Sequence, residues 1–248
     1  VTVSQSGKSP DIVALQDAAR KAGALTVALV NVEDSPVAHA ADICLPLHAG
    51  PELSVAATKS FIVSLVAGAA IVAHWLDRKD LLAAIDDLPD QLAKAAKIDW
   101  PEAVALAKDA ESLYVLARGP SLPIAVETAL KLKETNGLHA EAVSAAEVRH
   151  GPFALAGPGL RVIVFAQQDA AFDGLKKVAD DLEQRGCPVL FISSDATRSK
   201  ATIAADAEPV LELVGMLARF YLLANAAALK RGLSPDTPPM LTKITETR

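Results

Sequence analysis

Ionisable side chains in the middle of the chain have the residue types that proton transfer requires. Glu127, Lys131 and Glu134 are spaced so that they fall on one face of a helix. On a solvated surface such a row is only a ladder of ion pairs, worth about 0.2–0.5 kcal/mol each. The next residues, which we expect to form neither a strand nor a regular helix, add five more titratable groups, namely His139, Glu141, Glu147, Arg149 and His150. This density predicts a structured loop at a site, although the spacings match no standard set of metal ligands.

A turn rich in hydroxyl groups lies near the start of the chain. The stretch SQSGKS follows the strand-like residues Val1–Val3 and precedes a predicted helix. A junction of this kind aims backbone N–H groups at the carboxyl edge of a sheet, and Gly7 lets the backbone approach an anion closely. The turn is either a phosphate cradle or an ordinary helix cap, with one of its serines as the capping residue.

Two further stretches combine polar groups with turn signals. Pro51–Phe61 is interpreted as a capped helix start, with Ser54 as the N-cap, and we expect the helix to run from about Val55 to Leu76. The tail Pro235–Arg248 has the proline-rich composition of a disordered segment, and as part of a site it would deliver the amine of Lys243.

Composition limits the classes of function. The 248 residues carry a net charge of −6, which argues against nucleic acid or an anionic membrane as a partner. A local turn can still bind a small anion. We expect no apolar run of membrane-spanning length. Cys44 and Cys187 lie in apolar, strand-like runs without metal-ligand spacing, so we interpret them as buried thiols in the reducing cytoplasm.

The order of elements predicts an α/β protein. Strand and helix patterns alternate in the first third of the chain, which implies a parallel sheet flanked by helices. The region Asp80–Glu111 has no strand signal, and strands resume at Leu113, with a last one at Pro209–Leu213 before a closing helix. We therefore expect a first domain at 1–85, a helical linker at 86–108, a second domain at 109–234 and a tail at 235–248.

The two halves share a strand–turn–helix–strand pattern. Aligning them places Val1 near Val164, so the first copy lacks about 50 residues that precede this point in the second. We therefore expect the first domain to be missing its opening segment. The second copy has AQQD where the first has its serines, and Asp169 would repel an anion. Only the first copy is predicted to bind phosphate.

Together these stretches resemble the sugar isomerase (SIS) domain family. SQSGKSPD is similar to the family's SQSGET-x-D loop, and PELSVAATKSF to its E-x-x-VASTKAF. ALKLKETNGLHAEAVSAAEVRHGPFAL resembles ALKLKE…HAEA…ELKHGPLAL, and PDTPPMLTKITET the terminal D-x-P-x-x-L-x-K-S-V-T. The resemblance covers nearly the whole chain. It implies two SIS domains, each a three-layer sandwich of the flavodoxin or Rossmann type, with the first incomplete.

The resemblance also implies a role for each matching position. Substrate would be bound by Ser4, Gln5, Ser6, Ser9, Val55, Ala57 and Lys131. Glu134 would be the base that moves a proton between C1 and C2, and His150 would open the sugar ring. The family places this histidine in the site of a neighbouring subunit, which implies a homodimer. Lys243 would lie at the open-chain carbonyl.

Three departures from the family pattern concern substrate binding. Lys8 stands where the family has an acidic residue, Ser9 where it has threonine, and Ala57 where it has serine. The first two still permit a phosphate site, whereas the third removes one possible sugar contact.

The expected function follows from these matches. We expect a phosphosugar isomerase or aminosugar-phosphate deaminase acting on glucosamine 6-phosphate or fructose 6-phosphate, without cofactor or metal. One alternative is the isomerase portion of a glutamine–fructose-6-phosphate aminotransferase. The other is a non-catalytic phosphosugar sensor.

Overall fold

The chain divides into two compact units. The structure, a computed structural model, describes residues 1–97, 99–195 and 208–243. Unit 1 comprises Val1–Arg78 and Pro239–Arg248, and unit 2 comprises Lys79–Pro238. Residues 244–248, the polar end of the expected tail, lie outside the described residues. Each unit is an α/β structure whose parallel strands are flanked by helices.

Unit 1 contains a sheet with the strand order β1-β2-β3 in its described part. Its elements are β1 (Thr2–Ser4), α1 (Pro10–Lys21), β2 (Val27–Val30), α2 (Pro36–Ala40), β3 (Ile43–Pro46) and α3 (Lys59–Trp75). The strands are parallel, and their last residues, Ser4, Val30 and Pro46, lie in register. The loops that follow these strands therefore leave the sheet at one edge. Cys44 is exposed on β3, so the expectation that it is buried was wrong.

Unit 2 contains a sheet with the order β5-β4-β6-β7 among its described strands. Its elements are α4 (Lys79–Ala95), α5 (Pro101–Lys108), β4 (Ser112–Ala117), α6 (Leu122–Asn136), β5 (His139–Ser144), β6 (Arg161–Phe165), α7 (Phe172–Gln184), β7 (Val189–Ile192) and α8 (Pro209–Lys230). Strands β4 and β6 are almost wholly buried, as expected for a parallel sheet that helices cover on both faces. Helices α4 and α5, in the region expected as a linker, pack against α8 within this unit.

The repeat predicted from the sequence has the same local structure in both units. Segments β1–α1–β2 and β6–α7–β7 are each a helix between parallel neighbouring strands. Gly23 and Gly186 follow the two helices with φ angles of +88° and +86°. This left-handed conformation favours glycine, which explains why both copies turn at the same residue type.

Two segments fold differently from the sequence expectation. Residues His139–Ser144 form strand β5, which pairs along its length with β4. Ala140 and Val143 of this strand are buried, whereas the titratable residues His139 and Glu141 are exposed. Residues Pro209–Leu213 begin helix α8 and do not form a strand. Pro209 occupies the first turn, where a missing N–H is tolerated, and the Glu208 carboxylate accepts the N–H of Val210 at 2.9 Å.

Helix α8 is long and apolar enough to cross a membrane by length and composition alone. The expectation that no run reaches this length was therefore wrong. However, 67% of the helix's most apolar window is buried inside the structure, as in the core helix of a folded domain. Its buried polar side chains also have partners within unit 2, since Arg219 stacks on Trp100 at 4.6 Å and Glu212 accepts two backbone N–H groups.

Candidate functional site

Helix α6 has a buried charged cluster. The ammonium Nζ of Lys131 lies 2.5 Å from Oε2 of Glu134 and 3.5 Å from Oε1 of Glu127. The side chains of Lys131 and Glu127 are each 6% exposed, and that of Glu134 is 24% exposed. The solvated ladder considered above is therefore excluded, because α6 is enclosed by β4, β5 and α8. Of the three charged groups, Glu134 is the one that a small molecule can reach.

Glu127 is held from a second helix. The hydroxyl of Tyr221 on α8 donates to Oε1 of Glu127 at 2.7 Å. Burial raises the pKa of Glu127, although Lys131 and Tyr221 oppose this effect. Lys131 is thus fixed between a deeply buried carboxyl group and a more accessible one. Such an arrangement orients the carboxylate of Glu134.

The end of α6 is locked in place by hydrogen bonds. Asn136 is fully buried, and its amide donates to the carbonyl of Ala224 on α8 at 3.2 Å. Gly137 follows with φ +61° and ends the helix in the left-handed conformation. Arg231 donates to the carbonyl of Asn136 at 2.9 Å. The turn carrying Glu134 is therefore rigid.

The serine-rich turn of unit 1 lies where the sequence placed it, between β1 and α1. Oγ of Ser4 accepts the N–H of Gly7 at 3.0 Å, and Oγ of Ser6 accepts that of Lys8 at 3.4 Å. The side chain of Ser9, at the N-cap position, accepts no capping hydrogen bond from the helix. The capping interpretation therefore lacks its main bond, and the first-turn N–H groups of α1 remain available to an anion.

Gly7 is required by this turn. Its φ angle is +63°, and an added Cβ would lie 2.2 Å from Oγ of Ser35 and 2.7 Å from its Cβ. The Gly7 carbonyl accepts the N–H of Val37 at 3.0 Å, which joins the turn to α2. Ser35 is buried, and its hydroxyl has no hydrogen-bond partner among the described residues. Close packing behind the turn thus fixes its shape.

The start of α3 is organised by Glu52, which the sequence analysis did not single out. Its Oε2 accepts both the N–H of Ser60 at 2.9 Å and the hydroxyl of Ser60 at 2.7 Å. Ser54, the expected cap, precedes the helix, which begins at Lys59 instead of near Val55. Desolvation opposes ionisation of Glu52, yet the bonds from Ser60 and Thr58 and the charge of Lys243 give it a lowered pKa.

Lys243 lies in unit 1, in contact with this same loop. Its ammonium donates to the carbonyl oxygen of Ser54, the residue before Val55. The structure therefore brings together the tail lysine and the segment containing Val55 and Ala57, both half-buried. Asn31 steadies the preceding loop, since its side chain binds the backbone of Ala49 and Gly50 at 2.8 Å each.

His150 lies in unit 2, outside the helix that carries Glu134. It is exposed in the turn that follows β5, just before Gly151, whose φ angle is +141°. Its side chain makes no hydrogen bond or ion pair with the residues that the structure describes. Nor does any group of three or more His, Cys, Asp or Glu side chains in that part of the chain suit a metal ion.

Two polar residues, Tyr221 and Glu212, were not predicted from the sequence because their partners are distant in sequence. Tyr221 contacts Glu127 from 94 positions away. Glu212 accepts N–H groups from Gln168 and Ser194 and so joins the loops after β6 and β7. The one available signal was a polar residue within an apolar helical run.

Comparisons with known proteins show the family of the chain and its fold. The family profile of the SIS domain matches residues 1–74 and 106–226. The chain is 31% identical over 258 residues to glutamine–fructose-6-phosphate aminotransferase (isomerizing) from Thermococcus kodakarensis, covering 98% of this chain and 43% of that protein. It is 35% identical over 254 residues to the same enzyme from Aquifex aeolicus, with 98% and 43% covered. The chain thus spans less than half the length of these relatives.

Solved structures share the fold. One from Silicibacter pomeroyi, provisionally described as a phosphosugar isomerase, is 43% identical with a TM-score of 0.87, covering 94% of this chain and 72% of that one. The C-terminal domain of glucosamine-fructose-6-phosphate aminotransferase from Francisella tularensis is 26% identical with a TM-score of 0.84, covering 95% and 72%. Glucosamine-6-phosphate deaminase from Thermotoga maritima, 22% identical with a TM-score of 0.79 and coverage of 99% and 74%, shares the fold. With its profile match over both units, the chain belongs to the SIS domain family.

Proposed function

We propose that the protein is a phosphosugar isomerase that acts on glucosamine 6-phosphate or fructose 6-phosphate by ring opening and proton transfer between C1 and C2. The observation that carries the proposal is the Lys131–Glu134 pair, a carboxylate fixed by a buried ammonium but still accessible. A base for this reaction must be positioned within hydrogen-bond reach of two adjacent carbons. An oriented carboxylate on a rigid helix turn meets that requirement.

The proton transfer proceeds without a cofactor. In the open-chain aldose, Glu134 removes the proton from C2, and the electrons move to form an enediol with a proton taken up at the C1 oxygen. Glu134 then returns the proton to C1 as the C2 hydroxyl releases its proton and the C2 carbonyl forms. Lys131 is proposed to hold the carboxylate of Glu134 in position during both transfers. The imidazole of His150 is proposed to exchange protons with the ring oxygen and the C1 hydroxyl during ring opening.

With an aminosugar phosphate the same transfer releases ammonia. Moving the C2 proton to C1 turns the amine-bearing C2 into an imine, and water then replaces nitrogen to give the ketose phosphate and ammonia. This is the deaminase form of the proposal. Lys243 lies against the loop that contains Val55 and Ala57, so we place its ammonium at the sugar carbonyl or imine.

The substrate's phosphate is proposed to bind the serine-rich turn. Hydroxyls at Ser4, Ser6 and Ser9, the Gln5 side chain and the open N-terminus of α1 are the donors that a phosphate dianion requires. Because phosphate does not react, its binding energy serves to orient the sugar. We also propose a homodimer in the cytoplasm, with His150 supplied to the neighbouring subunit.

A second candidate is the isomerase portion of an aminotransferase. The observation that favours it is the match to an aminotransferase from Thermococcus kodakarensis. The match covers 98% of this chain but only 43% of that relative. Proton transfer by Glu134 is common to both candidates. They differ in whether nitrogen leaves the sugar as ammonia or arrives from a second source.

The test is to incubate the 248-residue chain with glucosamine 6-phosphate and measure ammonia and fructose 6-phosphate in equal amounts. A parallel reaction with fructose 6-phosphate should yield glucose 6-phosphate if isomerisation needs no nitrogen. Ketose–aldose conversion without ammonia release would exclude the deaminase form and leave the phosphosugar isomerase and the aminotransferase portion. If phosphosugars bind but neither product forms, the protein is a sensor and the enzymatic proposal is wrong.

A further inference from the structure

Unit 2 has a cavity that the proposed reaction does not use. We propose that it is a second small-molecule site, for a phosphorylated compound of sugar size that also carries hydroxyl or ammonium donors. The cavity has a volume of about 640 Å³. This lies within the ordinary size range of small-molecule sites, roughly 300–1,000 Å³. Its lining comes entirely from unit 2.

The cavity lies where the topology of the sheet opens a crevice. From β4 the chain crosses to β5 on one side and then to β6 on the other, so the order reverses between β4 and β6. Arg118 follows β4, Ala145 follows β5 and Asp169 follows β6, and all three line the cavity. Open α/β sheets bind ligands outside the carboxyl ends of their strands at such a switch point.

Small residues make room for a ligand in this crevice. The lining includes Gly119, Ala145, Ala146, Ala170, Ala171 and Gly174. Side chains of this size leave the backbone accessible at the mouth, while Leu175 and Val178 of α7 give an apolar base. A ring can therefore lie close to the backbone without displacing a bulky side chain.

Three cations surround the cavity. Arg118 donates to Oγ of Ser144 at 3.3 Å, which uses one of its five donors. Arg149 is positioned by an ion pair with Asp181 and lies 5.5 Å from the centre of the Phe153 ring. Lys177 is exposed on α7, and no ion pair joins it to the described part of the chain. An anion in the cavity therefore meets net positive charge.

Asp169 is the acidic residue of the lining, and its role is distinct. Its carboxylate accepts the N–H of Ala171 at 2.8 Å and the amide of Gln167 at 2.7 Å. A phosphate beside this turn would be repelled by the Asp169 carboxylate, so we place the phosphate at the arginines and the lysine. The remaining lone pairs of Asp169 suit a hydroxyl or ammonium of the same ligand. Together these groups select a compound with both an anion and hydrogen-bond donors.

The experiment uses glucosamine 6-phosphate as the probe, in the Glu134→Gln chain so that no turnover occurs. Amide resonances of Gly119 and Gly174 report on the cavity, whereas that of Gly7 reports on the unit 1 turn. We expect both sets to shift on titration, with separate dissociation constants. Shifts at Gly7 test phosphosugar binding at the proposed active site, and shifts at Gly119 and Gly174 test binding in the cavity. Either claim can therefore be disproved without the other.

Substitutions at the lining and matched controls give the decisive comparison. Lys177→Gln and Arg118→Gln should each weaken binding at the cavity reporters by about tenfold, the usual size of a lost hydrogen bond to a charged group. Lys176→Gln, the neighbouring residue on α7, and Arg161→Gln, at the opposite edge of the sheet, make the same charge changes outside the lining. Unshifted Gly119 and Gly174, or equal weakening by the control substitutions, would overturn the proposal.

Discussion

The ammonium of Lys131 lies 2.5 Å from a carboxylate oxygen of Glu134, and both belong to one buried helix. Because Glu127 lies on the other side of the same ammonium, one cation balances two carboxyl groups of different exposure. The chemistry that we propose depends on this difference in exposure, in which the more exposed carboxylate is oriented by a lysine that is 6% exposed.

Replacing Glu134 by glutamine should abolish turnover and leave phosphosugar binding intact. The amide keeps the size of the side chain but has no basicity, and loss of a general base costs about 10²–10⁴-fold in rate. Glu111→Gln, an exposed carboxylate next to β4, is the matched control and should keep full activity. Product formation by the chain and binding by calorimetry are the two measurements. Normal turnover in Glu134→Gln would remove this residue as the base.

Replacing Lys131 by methionine should destabilise the chain by about 3 kcal/mol at neutral pH, because two carboxyl groups lose their buried partner. The pKa of Glu127 is already raised by burial and will rise further without the lysine. A carboxyl group with a raised pKa adds stability at low pH that is lost as the pH rises through its folded pKa. The difference in free energy of unfolding between wild type and Lys131→Met should therefore shrink as the pH falls from 7.

Denaturant unfolding at several pH values tests this linkage. Adding Glu127→Gln to Lys131→Met should recover part of the lost stability at neutral pH, since the amide needs no counter-ion. A deficit that does not change with pH, and no recovery in the double variant, would mean that lost packing and not charge explains the effect.

Removing the Glu52 side chain should destabilise α3. Glu52→Ala takes away the acceptor of two Ser60 donors, and loss of a helix cap typically costs about 1 kcal/mol. The pKa of Glu52 is lowered from 4.5, so its stabilisation is present above that value and is lost as the pH falls through the folded pKa. Thermal unfolding should show a difference between wild type and variant near neutrality that closes in acid. A constant difference down to low pH would contradict the charge-based account.

Gly7→Ala should weaken both stability and phosphosugar binding. The left-handed backbone alone costs a non-glycine residue about 1–2 kcal/mol, and the new methyl group would collide with Ser35. Gly23→Ala is the control, because it has a similarly left-handed φ angle but nothing within 4 Å of the added Cβ. Adding Ser35→Gly to Gly7→Ala should relieve the collision, because it removes both the Oγ at 2.2 Å and the Cβ at 2.7 Å, and should leave mainly the backbone cost. Equal binding by the Gly7 and Gly23 variants would show that the shape of the turn does not matter.

The proposed donation of His150 to a neighbouring subunit is open to a mixing experiment. His150→Ala and Glu134→Gln should each be inactive alone. Subunits refolded together form hybrids with one intact site, so the mixture should recover about one quarter of wild-type activity if the chain is a two-fold dimer. Light scattering measures the oligomeric state. Recovery of activity is excluded if both residues serve the site of their own subunit.

The sequence by itself determined the local structure around the site. A serine-rich turn before a helix, the i, i+4 and i+7 spacing on α6, and glycines at 23 and 186 that follow helices are local patterns, and local backbone preferences decide them. The resemblance of four motifs to the SIS family was confirmed by the family profile, and the α/β class by both sheets.

Tertiary structure decided which charges are buried and which partners they have. The same row on α6 would be a solvated ladder on a surface, and only packing against β4, β5 and α8 makes it a desolvated cluster. Tyr221 on Glu127 joins residues that are remote in sequence. Strand β5 was missed because its outward positions carry charge, and Pro209–Leu213 because apolar residues suit a buried strand and a buried helix equally. Periodicity shows which face of an element is apolar, but the neighbours that cover that face are determined by the fold.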